Sequence, residues 1–136
     1  MKEQLITFET AKLAKEKGFN ILTRNHWSTY DNQGIENNFL RKSYKADWNE
    51  KNIPYVSNKL ETLYSAPTQS LLQKWLREVY DIDITVNSNN ESRINRLYEA
   101  VIYSDVIEEE SNEFSWFKTY EGALEDGLLE ALKLIP

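Results

Sequence analysis

From Thr119 to the end of the chain, apolar side chains return with the period of an α-helix. Tyr120, Ala123, Leu124, Gly127, Leu128, Ala131, Leu132 and Ile135 fall on one face. Thr119 stands where an N-cap belongs, and Glu121 adds negative charge at the positive end of the helix dipole. The pattern predicts a helix over 120–134. A helix with one apolar stripe must bury it against something, so the preceding segments decide the fold.

Those segments predict a second helix and strands. Leu71, Leu72, Trp75, Leu76, Val79 and Tyr80 make a broad apolar stripe over 67–80, with Pro67 suited to the first helical position. A strand is expected at 82–87, where Ile82, Ile84 and Val86 alternate with Asp83, Thr85 and Asn87. After the turn signal Asn87-Ser88-Asn89-Asn90, a second strand is expected at 96–104 and a short third at 114–117. In that second strand Leu97, Val101 and Tyr103 alternate with Tyr98, Ala100 and Ile102, so both faces are expected to be partly covered. The C-terminal half therefore reads α-β-β-(β)-α, and the expected class is α+β, a small antiparallel sheet with helices packed on one face.

The first half is harder to read. A helix over 7–18 has Thr7 as its cap, Gly18 just past its end, and a narrow face of Phe8, Ala11 and Ala14. A strand is expected over 21–30, then a turn at Asp31-Asn32-Gln33-Gly34, then a second strand or short helix over 35–46. Ile53 to Val56 reads as another strand, pushed to a sheet edge by Pro54. The chain is read as a single domain over 1–136, with a helix plus aromatic, Asn-rich region over 1–66 and the α-β-β-(β)-α region over 67–136.

Three stretches, 8–19, 67–78 and 119–135, together resemble a family of short uncharacterised proteins of Bacteroides-type gut bacteria and of their phages and mobile elements. The resemblance implies an intracellular bacterial or phage setting. It implies no activity, cofactor or site residue. The α-β-β-β-α order is also similar to that of double-stranded RNA-binding domains. Those domains hold phosphates with lysines at the start of the last helix, where this chain has Tyr120, Glu121, Gly122 and Ala123.

Composition excludes several chemistries. The chain has no cysteine, which removes disulfides, thiolate zinc sites and cysteine nucleophiles. Its one histidine, His26, has no catalytic motif around it, and no G-x-S-x-G elbow is present. The four glycines never cluster into a phosphate loop. Asp81-Ile82-Asp83 loosely suggests a calcium loop, but the interleaved apolar residues are those of a strand and the turn glycine is missing. The acidic run Glu108-Glu109-Glu110 reads as a hydrated connection, and Arg93 and Arg96 as strand-end charges. No catalytic, metal or cofactor residue is assigned, and no cofactor is expected.

Charge is uneven: residues 1–66 sum to +2 and residues 67–136 to −8. The acidic half argues against wrapping a nucleic-acid backbone. No segment approaches a membrane span, and the charged N-terminal stretch lacks a signal-peptide core, so a cytoplasmic protein is expected. The middle of the chain holds His26, Trp27, Tyr30, Phe39, Tyr44, Trp48, Tyr55 and Tyr64. These aromatics either form the core of the first half or anchor a partner, and Trp27, Tyr30, Trp48 and Tyr55 are the candidate interaction surface. The leading functional expectation is a non-enzymatic protein-interaction module, with a protein partner or self-association. The alternatives are a small carboxylate-based enzyme and an acidic nucleic-acid mimic that inhibits a DNA-binding protein. A weaker variant binds nucleic acid directly through Lys12, Lys15, Lys17, Arg41, Lys42 and Lys45.

Overall fold

A computed structural model describes residues 3–21, 23–32, 35–42, 52–55, 59–89, 96–105 and 115–136. The chain is α+β, with three helices and two antiparallel sheets among the described residues. It divides into two compact units, Leu5–Pro67 and Thr68–Pro136, the second of which includes the first residues through Gln4.

The first unit opens with α1, Phe8–Glu16, capped by Thr7, whose hydroxyl accepts from the Thr10 N–H. The helix is shorter at both ends than the 7–18 expected, because Thr7 is its cap and its C-terminal end is a Schellman turn. The Phe19 N–H reaches back to the Ala14 carbonyl at 2.9 Å and the Gly18 N–H to Lys15 at 3.1 Å. Gly18 sits at φ +93°, a conformation that suits a residue without Cβ, and Phe19 is buried beyond it.

Four strands follow: β1 (Asn25–Asn32), β2 (Ile35–Lys42), β3 (Asn52–Tyr55) and β4 (Lys59–Ser65). They pair in the order β2-β1-β4-β3, all antiparallel. The hairpin at 31–34 forms, with Asn32 opposite Ile35; Gln33 and Gly34 lie outside the described residues. Pro54 is on a terminal strand, as its missing donor demands. α1 packs on β4, and Ile6, Ala11, Ala14, Phe19, Leu63 and Ala66 are the buried apolar residues.

The second unit has α2 (Gln69–Tyr80), β5 (Ile82–Ser88), β6 (Tyr98–Ser104) and α3 (Tyr120–Leu134). Pro67 does not occupy the first helical turn as expected. Thr68 is the cap, its hydroxyl accepting from the Leu71 N–H, so the proline stands one residue outside. β5 pairs with β6, Ile84 opposite Ile102 and Val86 opposite Ala100. The segment expected as a third strand contributes one bridge among the described residues, Phe117 to Tyr98. Both helices pack on β5, and α3 also packs on β6 and on α2. Ile82 and Ile84 are buried with Leu72, Leu76, Leu124, Leu128 and Leu132, while Asp83 and Tyr103 on the opposite face are exposed. Gly127 lets α3 approach the sheet: a Cβ there would lie 2.6 Å from the Ala100 Cβ.

Candidate functional site

The first turns of α2 and α3 lie side by side in the second unit. Gln69, the first residue of α2, is 3% exposed and holds them together. Its Nε2 donates to the Glu121 carbonyl oxygen at 3.0 Å and to Glu125 Oε2 at 2.9 Å. Its backbone N–H donates to the Gln4 carbonyl at 2.9 Å, and Ser70 Oγ donates to Glu3 Oε1. The N-terminal residues are thereby tied to the start of α2.

These contacts frame a half-open cleft of about 310 Å³, lined by Glu3, Gln4, Gln69, Ser70, Gln73, Tyr120, Glu121 and Leu124. Its chemistry is one-sided. Among the described residues two carboxylates, three amides, a hydroxyl and a phenol ring line it, and no Lys, Arg or His does. Tyr120 is 45% exposed, and its ring meets Tyr98 edge-on at 6.3 Å. Trp116, 48% exposed, precedes the Phe117 that pairs with Tyr98 through two backbone bonds of 2.8 Å. Gln73 is anchored by an Nε2 bond of 2.7 Å to the Ile84 carbonyl. Threonine caps occupy N–H groups at both helix starts, Leu71 on Thr68 and Gly122 on Thr119.

Asp126 does not line this cleft. Burial, and then the Glu130 carboxylate, raise its carboxyl above the usual range, while Lys133 opposes them. Several other acids of this unit are engaged. Glu125 accepts from Gln69, Glu130 from Lys133 at 2.7 Å, and Asp83 lies 3.6 Å from Arg77. Asp81 ends α2 in the left-handed conformation at φ 56°. Among the described residues no group of three or more His, Asp and Glu could hold a metal ion. None of the described helices is long and apolar enough to cross a membrane.

The residues singled out in the sequence lie elsewhere. Trp27 is half-buried in the first unit, where its Nε1 donates to the Ile6 carbonyl at 3.2 Å and its ring meets Phe8 at 6.0 Å. Tyr64, opposite Trp27 across the sheet, also meets Phe8, at 5.5 Å. Lys15 Nζ lies 5.0 Å above the Tyr64 ring and donates to the Leu63 carbonyl at 3.1 Å. Burial pushes its amine below the usual lysine range. Tyr30 stands on β1 and Tyr55 on β3; their side chains, and all of Trp48, lie outside what the structure describes. His26 is buried on β1 opposite Ser65 of β4. The cleft residues escaped sequence reading because glutamines at a helix start carry no motif, and Gln4 and Gln69 are far apart in the chain.

No protein-family model matches the chain, and no curated protein or solved structure matches it.

Proposed function

We propose that this chain is a non-enzymatic protein-interaction module, and that its α2–α3 cleft receives a cationic side chain from a basic segment of a partner protein. The observation that carries the reading is the lining itself, which among the described residues has two carboxylates, a half-exposed tyrosine ring and no basic group. A guanidinium or ammonium is attracted by carboxylates and by an aromatic face, and amides complete its hydrogen bonds. The −8 charge of residues 67–136 steers such a partner on approach. The engaged carboxylates of Glu125 and Glu130 favour this reading over a continuous phosphate-like row.

The test is fluorescence anisotropy of labelled peptides that differ only in Arg, Lys, Gln or Glu at one position. Arg and Lys peptides should bind, with affinity falling as salt rises. Tyr120→Leu and Glu121→Gln should each weaken binding by about 2–5-fold, the worth of an exposed cation–π or charge contact. Equal binding of Glu and Arg peptides would remove the proposal.

A further inference from the structure

We infer that β2 is a self-association edge, and that two copies of this chain pair through it in antiparallel register about Phe39. The inference stands apart from the cleft.

The ladder of the first unit fixes which backbone groups face outward. The Ala66 N–H donates to the Asn25 carbonyl at 3.0 Å, so Asn25 faces β4. Antiparallel residues alternate in direction, so Trp27 and Thr29 also face β4 while His26, Ser28, Tyr30 and Asn32 face β2. Their partners on β2 are Arg41, Phe39, Asn37 and Ile35. The intervening Glu36, Asn38, Leu40 and Lys42 therefore turn their N–H and C=O groups to the outer edge.

The other terminal strand does not offer the same opportunity. By the same alternation, Ile53 and Tyr55 of β3 face β4, and Asn52 and Pro54 face outward. Pro54 has no N–H, and β3 has four residues against eight in β2. Short strands and outward prolines are how sheets block edge pairing. β2 has neither protection. At its centre Phe39 is 43% exposed and Leu40 47% exposed, on opposite faces of the sheet.

The strand is also its own complement. A two-fold antiparallel pair must join residues that point the same way, so only registers centred on a residue are allowed. Centred on Phe39, Asn38 meets Leu40 of the second copy, and Glu36 meets Lys42. Positions of opposite charge thus coincide at both ends. Centring on Asn38 sets Glu36 against Leu40, and centring on Leu40 sets Lys42 against Asn38, so neither matches the charges. β3 is blocked at the other end of this sheet, so pairing through β2 closes as a two-fold dimer rather than growing into a filament.

The full-length chain tests this directly. Sedimentation should give twice the 16.0 kDa chain mass. Asn38→Pro removes only an outward N–H, so it should give the single-chain mass with an unchanged far-ultraviolet spectrum. A cysteine scan is independent of that variant, because the natural chain has no cysteine. In this register the Phe39 pair is not hydrogen-bonded, and such Cα atoms lie about 4.5 Å apart, within disulfide reach. Under copper-phenanthroline oxidation, Phe39→Cys should cross-link faster than Asn38→Cys or Leu40→Cys. A wild-type monomer at all concentrations, or fastest cross-linking at another position, would overturn the inference.

Discussion

Replacing Gln69 with glutamate exchanges the amide that clamps α2 to α3 for a carboxylate oxygen. That oxygen would stand where Nε2 now lies, 2.9 Å from Glu125 Oε2 and 3.0 Å from the Glu121 carbonyl. Two unit charges at that distance repel by about 6 kcal/mol at an effective dielectric of 20. The pair escapes by keeping one proton, and holding a proton on a glutamate at pH 7 costs about 4 kcal/mol. Glu125 is half-exposed, so water screens part of this, and the expected loss at neutral pH is about 2–4 kcal/mol. The pair's folded pKa is raised above the unfolded value, so the folded state binds the extra proton. The loss is then full at pH 7 and shrinks as pH falls towards the unfolded glutamate value of about 4.3. Gln69→Met removes the same hydrogen bonds without adding charge and should lack this recovery. Urea denaturation of wild type, Gln69→Glu and Gln69→Met across that pH range is the assay. A Gln69→Glu deficit that does not change with pH would refute the clamp.

Gly127→Ala should lower stability despite its better helix propensity, because the new Cβ meets Ala100 Cβ at 2.6 Å and Ile84 Cγ2 at 3.0 Å. Overpacking of about 1–3 kcal/mol outweighs a propensity gain of about 1 kcal/mol. In a double-mutant cycle Ala100→Gly should be less harmful in the Gly127→Ala background than in wild type; additive effects would contradict the close approach. The Asp126 carboxyl, raised first by burial and then by Glu130, makes the folded state bind more protons than the unfolded one above about pH 3.9. Its cost is absent below that value and fully present at neutral pH, so Asp126→Asn should be more stable than wild type at pH 7 and flatter in the acid range. Superimposable pH profiles would contradict that origin.

The sequence was most legible where one face alone is buried. The α3 bounds of 120–134 follow from an unbroken apolar stripe and the Thr119 cap, and β5 follows from the alternation of Ile82 and Ile84 with Asp83 and Thr85. Strand β4 was hidden because Leu60 and Tyr64 fall on one face and Leu63 on the other, which leaves no clean period. Its pairing with β1 joins His26 to Ser65, a contact that no local pattern announces. Proline suits a first helical turn, so Pro67 reads as the start of α2, whereas Thr68 takes the cap through its side-chain bond. Trp27, singled out as an anchor, has its indole N–H on the Ile6 carbonyl and its ring against Phe8. The cleft was not legible at all, since its character lies in which ordinary side chains two helix starts bring together.

The most direct test of the proposed function is an amide NMR titration of the full-length chain with the Arg peptide and its Glu counterpart. The Arg peptide should shift the side-chain amides of Gln4, Gln69 and Gln73 and the backbone amides of Ser70, Tyr120 and Glu121, and the Glu peptide should leave them in place. Shifts confined to other residues, or none with the Arg peptide, would contradict it.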